Sequence, residues 1–102
     1  MSEIDPELVA AVREAWSRAL GIDASSIDPE TSDFFDIGGY SLLALQVIGG
    51  LIEHSDAASK ERSFEIEGRL VEDLFQQPFC VAQARILQEE RVVISESQAN
   101  AS

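Results

Sequence analysis

The apolar residues of this chain return every third or fourth position, in separate blocks cut off by proline and glycine. That period belongs to helices with one buried face, and it sets the fold class. The first block follows Asp5-Pro6, a capping carboxylate and then a proline whose missing N–H is tolerated at the first helical position. Leu8, Val12, Ala15, Trp16 and Ala19 share one face and Gly21 offers a stop, so the spacing predicts a helix over 6–20 with Trp16 as a core anchor. Leu42 to Ile52 is strongly apolar and predicts a second helix, with Ala44, Leu45, Ile48, Leu51 and Ile52 inward. Gly49-Gly50 lies inside it, either to permit close helix packing or as a point of fraying. His54 to Ser63 reads as a polar, mobile connection, and Phe64 and Ile66 alternate with acidic residues as in a short extended stretch. Leu70 to Phe75 predicts a short third helix, and Pro78 opens a fourth with Phe79, Ala82 and Ile86 inward. The β-branched run Val92-Val93-Ile94 leaves the end of that helix open. The expected fold is all-α: a four-helix bundle of three main helices and a short third, with a long loop between helices I and II. The domain is expected over 1–94, followed by a polar, disordered tail over 95–102.

A chain of 102 residues supports one modest core. Its 19 acidic and 7 basic residues give a net charge of -12, which repels nucleic acid and anionic membranes and steers basic partners inward. Enhanced solubility alone is the plainer account of the same charge. The single Cys80 excludes an intramolecular disulfide, fits a cytoplasmic location and reads as a small buried hydrophobe. No apolar run is long enough for a membrane span. The acidic N-terminus lacks the layout of a signal peptide and reads as the native start of a free-standing protein. His54 is the lone histidine, and neither a Ser-His-Asp set nor a metal-ligand spacing is visible. A self-contained catalytic site is therefore not expected.

The loop over 21–40 has its own apolar anchors, Ile27, Phe34, Phe35 and Ile37, which predict that it packs down over the helices. It ends in Asp33-Phe34-Phe35-Asp36-Ile37-Gly38-Gly39-Tyr40-Ser41-Leu42-Leu43-Ala44. The double glycine turns the chain, and Ser41 then stands where an apolar helix begins. Free backbone N–H groups and a partial positive charge there favour a phosphate ester on the hydroxyl. The competing role for Ser41 is a plain helix N-cap.

The longer string resembles the phosphopantetheine attachment motif of carrier proteins, in particular the peptidyl carrier proteins (thiolation domains) of nonribosomal peptide synthesis. Asp33, Phe34, Phe35, Ile37, Gly38, Gly39, Ser41, Leu42 and Leu43 match that motif position by position. The resemblance extends over roughly Leu8 to Leu87. It implies a non-catalytic, monomeric carrier with 4′-phosphopantetheine, transferred from coenzyme A, on Ser41. Gly38, Gly39, Tyr40 and Leu42 would surround the group, and Asp36, Leu42, Leu43, Leu70 and Val71 would meet partners. Those partners would be a phosphopantetheinyl transferase, an adenylating enzyme that loads the amino acid, condensation or tailoring enzymes, and a thioesterase. The cargo would be an aminoacyl thioester. An aryl or other acyl cargo of polyketide-type biosynthesis is the near alternative. A helical adaptor for basic partners and a small hydrolase using Ser41 with His54 are the remote ones. Three departures stand out: Tyr40 where histidine is common, Gly50 where arginine is frequent, and a longer stretch between helices II and III.

Overall fold

The computed structural model describes residues 4–56 and 59–94. It contains four α-helices, α1 (Pro6–Leu20), α2 (Ser41–Glu53), α3 (Lys60–Gln76) and α4 (Cys80–Glu89), and a short 3-10 turn over Ala24–Ser26. The four-helix all-α expectation holds. The helices pack in a ring: α1 touches α2 and α4, α3 touches the same two, and α1 and α3 stand on the diagonal. The predicted tail over 95–102 lies outside the described residues.

Helix α1 has the predicted bounds because both ends are written locally. The Asp5 carboxylate accepts from the Glu7 N–H at 2.9 Å, and Gly21 closes the helix at φ 71°, donating to Ser17. Trp16 is fully buried, as expected. Helix α2 buries Ala44, Val47, Ile48 and Leu51, so its inward face is rotated from the predicted one. Leu45 is half exposed and Ile52 partly buried, because a helix apolar on almost every side does not specify its face by period alone. A Cβ at Gly49 or Gly50 would meet nothing within 4 Å, which removes close packing as the reason for the pair.

The third helix corrects the sequence reading most. It is not short: at 17 residues it is the longest of the four, and Phe64 and Ile66 lie inside it. Ser59 caps it, accepting from the Arg62 N–H at 3.1 Å, and Ile66, Leu70 and Leu74 form its buried line at i, i+4 and i+8. The Phe64/Ile66 alternation imitated a strand, but Phe64 faces outward and Ile66 inward. Tertiary contacts hold this polar helix in place. Arg62 donates to the Glu90 carbonyl, and Arg69 pairs with Glu89 and Glu90. Buried Gln83 of α4 donates to the Leu70 carbonyl at 3.1 Å.

Helix α4 starts at Cys80, with Pro78 two residues ahead of it and Phe79 at the cap. Its end is settled by tertiary pairing. The chain turns at Arg91 (φ 58°), buries Val92, and pairs Ile94 with Ser55. Asp56 closes this clasp, donating its N–H to the Val93 carbonyl at 3.0 Å and accepting from the Val93 N–H at 2.8 Å.

Asp73 sits awkwardly on α3, with Oδ2 buried and unpartnered among the described residues. Burial pushes its carboxyl above the ordinary range, against the pull of Arg69 and Arg85. A folded pKa above the unfolded one means the folded chain binds this proton more tightly, so stability falls as pH rises through the folded pKa. Asp73→Asn should therefore melt at a higher temperature than wild type at pH 7. The gap should close as the pH drops below the carboxylate range, as thermal melts across pH would show.

Candidate functional site

The segment leading to Ser41 is built as a tethered turn. The Asp33 carboxylate accepts from the N–H groups of Phe35 (2.8 Å) and Asp36 (3.2 Å), while its carbonyl accepts from Asp36 and Ile37. The Phe34 N–H donates to Pro78 and the Val81 N–H to Pro29, so the long loop is bonded to the α3–α4 corner and to α4. Asp28 folds the middle of the loop by accepting from the Glu30 and Thr31 N–H groups, which holds its carboxyl below the usual range. The predicted anchors behave as such: Ile27 and Phe34 are fully buried, and Phe35 and Ile37 pack partly buried against the core.

Aromatic rings connect this turn to the core. Phe34 meets Trp16 edge-on at 5.0 Å and Phe35 at 5.3 Å, and Phe35 stacks on Phe75 of α3 at 5.3 Å. The two glycines answer different needs. Gly38 adopts φ 116°, which L side chains rarely adopt. Gly39 has no positive φ but also no room: an added Cβ would run into the Phe34 ring and lie 2.6 Å from its carbonyl oxygen.

Ser41 is the first residue of α2 and is exposed. Tyr40, not Ser41, occupies the cap position, and no side chain caps the helix. The Ser41 hydroxyl has no hydrogen-bond partner among the described residues. The capping role offered by the sequence is thus not the one it takes. The first intrahelical bond runs from Ala44 to the Tyr40 carbonyl, which leaves the Ser41, Leu42 and Leu43 N–H groups without helical acceptors. A hydroxyl beside three free N–H groups, reached over a turn lacking side chains at Gly38 and Gly39, suits a phosphodiester.

Around it, Tyr40 and Leu42 are 56% and 57% exposed. Asp36 is exposed, Leu43 and Val71 are half-buried, and all three remain accessible. Leu70 does not: it is fully buried in the core, because the Arg62 and Arg69 contacts with α4 turn that line of α3 inward. It is withdrawn as a docking residue. Leu45 and Phe64, which the sequence places inward, are exposed, and so is Phe75, for which the sequence suggests no surface role.

His54 caps the opposite end of α2, its Nδ1 2.9 Å from the Gly50 carbonyl. Thirteen residues of helical rise put it about 20 Å from Ser41, too far to serve as its base. A groove of about 770 Å³ between α1 and α2 includes His54 but not Ser41. Among the described residues no His, Cys, Asp and Glu cluster could hold a metal ion, and no helix is long and apolar enough to cross a membrane. Cys80 is buried, and burial pushes its thiol up to about 12. The thiolate is then scarce at neutral pH, so a small alkylating reagent should label native Cys80 far more slowly than the urea-unfolded chain.

Four helices with no strand among the described residues are consistent with a carrier-protein helical bundle. Residues 10–55 match the family model described as "Phosphopantetheine attachment site", which supports a carrier domain of the thiolation type. Domains of this family attach 4′-phosphopantetheine covalently. Over 86 residues the chain is 34% identical to Nonribosomal peptide synthetase 7 of Gibberella zeae. That alignment takes in 84% of this chain and about 2% of the synthetase. No solved structure gives a significant match.

Proposed function

We propose that Ser41 carries the 4′-phosphopantetheine group and that the chain is a peptidyl carrier holding an aminoacyl intermediate as a thioester. The observation that supports this best is the Ser41 hydroxyl itself, exposed at the head of α2 and released from capping by Tyr40. When bound, the group supplies the terminal thiol on which the thioester forms. The chain's own residues hold and present it. The free N–H groups at the start of α2 face the phosphate, Gly38 and Gly39 keep the approach open, and Tyr40 and Leu42 flank the arm's exit. Activation of the hydroxyl falls to a separate phosphopantetheinyl transferase, since His54 stands at the far end of α2. Tethering raises the effective concentration of the intermediate at each docked enzyme. Those enzymes are an adenylating enzyme, condensation or tailoring enzymes and a thioesterase, meeting a surface around Asp36, Leu42, Leu43 and Val71. A buried, reduced Cys80 suits work in the cytoplasm as a monomer.

The test is intact-mass measurement in two stages. Incubation with coenzyme A and a broad-specificity transferase should add one phosphopantetheinyl unit. An adenylating enzyme with ATP and its amino acid should then add one aminoacyl unit, removable by hydroxylamine. No first gain would refute carriage of the group. A first gain with no loading across a panel of amino acids, but loading by aryl or acyl donors, would refute the peptidyl assignment.

A further inference from the structure

We propose that α3 bears a docking ridge that runs from Phe75, which stacks on Phe35 of the turn leading to Ser41, back to Phe64 three helical turns away, and is shaped for a basic amphipathic helix of a partner protein. Phe64, Gly68, Val71 and Phe75 recur at i, i+4, i+7 and i+11, which gathers them within a sector of about 60° on the helix surface. This sector is distinct from the buried line of Ile66, Leu70 and Leu74. It also turns away from α4, which Arg62 and Arg69 face. Phe64 is 77% exposed and Phe75 51%. Between them Gly68 has open space where a side chain would stand, so the ridge has a notch that an incoming apolar side chain can fill. The ridge runs about 16 Å, three helical turns.

Charge selects the occupant. Glu61, Glu65 and Glu72 line one edge of the ridge and Glu67 the other, with Lys60 as the cation at its start. Arg69 is engaged with Glu89 and Glu90 and does not offset this row. A second copy of the chain would set acidic edges against each other at a net charge of -12 per chain. An anionic lipid surface meets the same repulsion. A helix with apolar residues at three-to-four spacing, flanked by lysine or arginine, matches both the stripe and its borders. The end of the ridge at Phe64 lies on the turns of α3 that the sequence reading took for a loop and a strand. This surface does not depend on what Ser41 carries.

The probe is a synthetic, fluorophore-labelled helical peptide with leucines on one face and lysines flanking them, titrated into the full chain by anisotropy. A twin with glutamates in place of lysines is the control. Amide shifts of the ¹⁵N-labelled chain locate the contact. The lysine peptide should bind, weaken with salt, and shift amides from Phe64 to Phe75, while the glutamate twin should not bind. Phe64→Ser, at a site too exposed to matter to the core, should weaken binding about tenfold. Gly68→Lys should fill the notch with a like charge, weakening binding while raising the melting temperature by removing a helical glycine. Both variants should still accept phosphopantetheine, which separates failure of the ridge from failure of the carrier reading. Equal binding of both peptides, shifts centred elsewhere, an unaffected Phe64→Ser, or dimerisation through Phe64 would each overturn the proposal.

Discussion

Ser41→Ala should fold as well as wild type and take up no phosphopantetheine at all. The fold should be spared because Ser41 is exposed and makes no capping bond, and surface changes away from caps usually stay within about 0.5 kcal/mol. Loading should fall to zero, not by a factor, if the hydroxyl at the head of α2 is the acceptor. The competing acceptor is the phenol of Tyr40, one residue earlier and 56% exposed. Tyr40→Phe should load normally, which isolates the serine. Intact mass after incubation with coenzyme A and a transferase reads loading, and a melting curve on the same samples reads the fold.

Phe34→Ala should destabilise the domain by about 3–5 kcal/mol, the usual cost of emptying a buried phenylalanine site. Phe34 is fully buried, meets Trp16 and Phe35 edge-on, and has its backbone bonded to Pro78. Its carbonyl also accepts from the Gly39 N–H at 2.9 Å, so the ring seats the turn that presents Ser41. A domain of ordinary stability, about 5–15 kcal/mol, would lose much of its margin. The urea midpoint should fall steeply, and the molecules still folded should load more slowly as the turn loosens. Phe75→Ala, at the half-exposed end of the same aromatic chain, should cost far less. Equal losses would mean that the rings matter as surface and not as core.

Local signals explain what was legible in the sequence. Asp5-Pro6 and Gly21 write both ends of α1 in adjacent residues, and the structure keeps them. The loop anchors Ile27 and Phe34 were legible because large apolar residues in a polar stretch have nowhere else to go. What stayed hidden depends on neighbours distant in sequence. Helix α3 is polar, contains Gly68, and is steadied by Arg62 and Arg69 reaching α4 some 20 to 28 residues on. No local pattern announces that contact, so its first two turns read as loop and strand, and Leu70 was assigned outward. Helix α2 hid its face for the opposite reason: with apolar residues on nearly every side, only the position of α1 and α3 decides that Val47 is inside and Leu45 outside. At the site, the residue types were legible but the division of labour was not. That Tyr40 takes the cap and frees the Ser41 hydroxyl is a matter of backbone torsions.

Fragment-mass mapping of the chain purified from cells with an active transferase tests the central claim most directly. The account predicts a single phosphopantetheinyl unit, confined to the peptide that contains Ser41 and lost when that residue is changed. Recovery of Ser41 unmodified throughout, or the group on any other side chain, would contradict it.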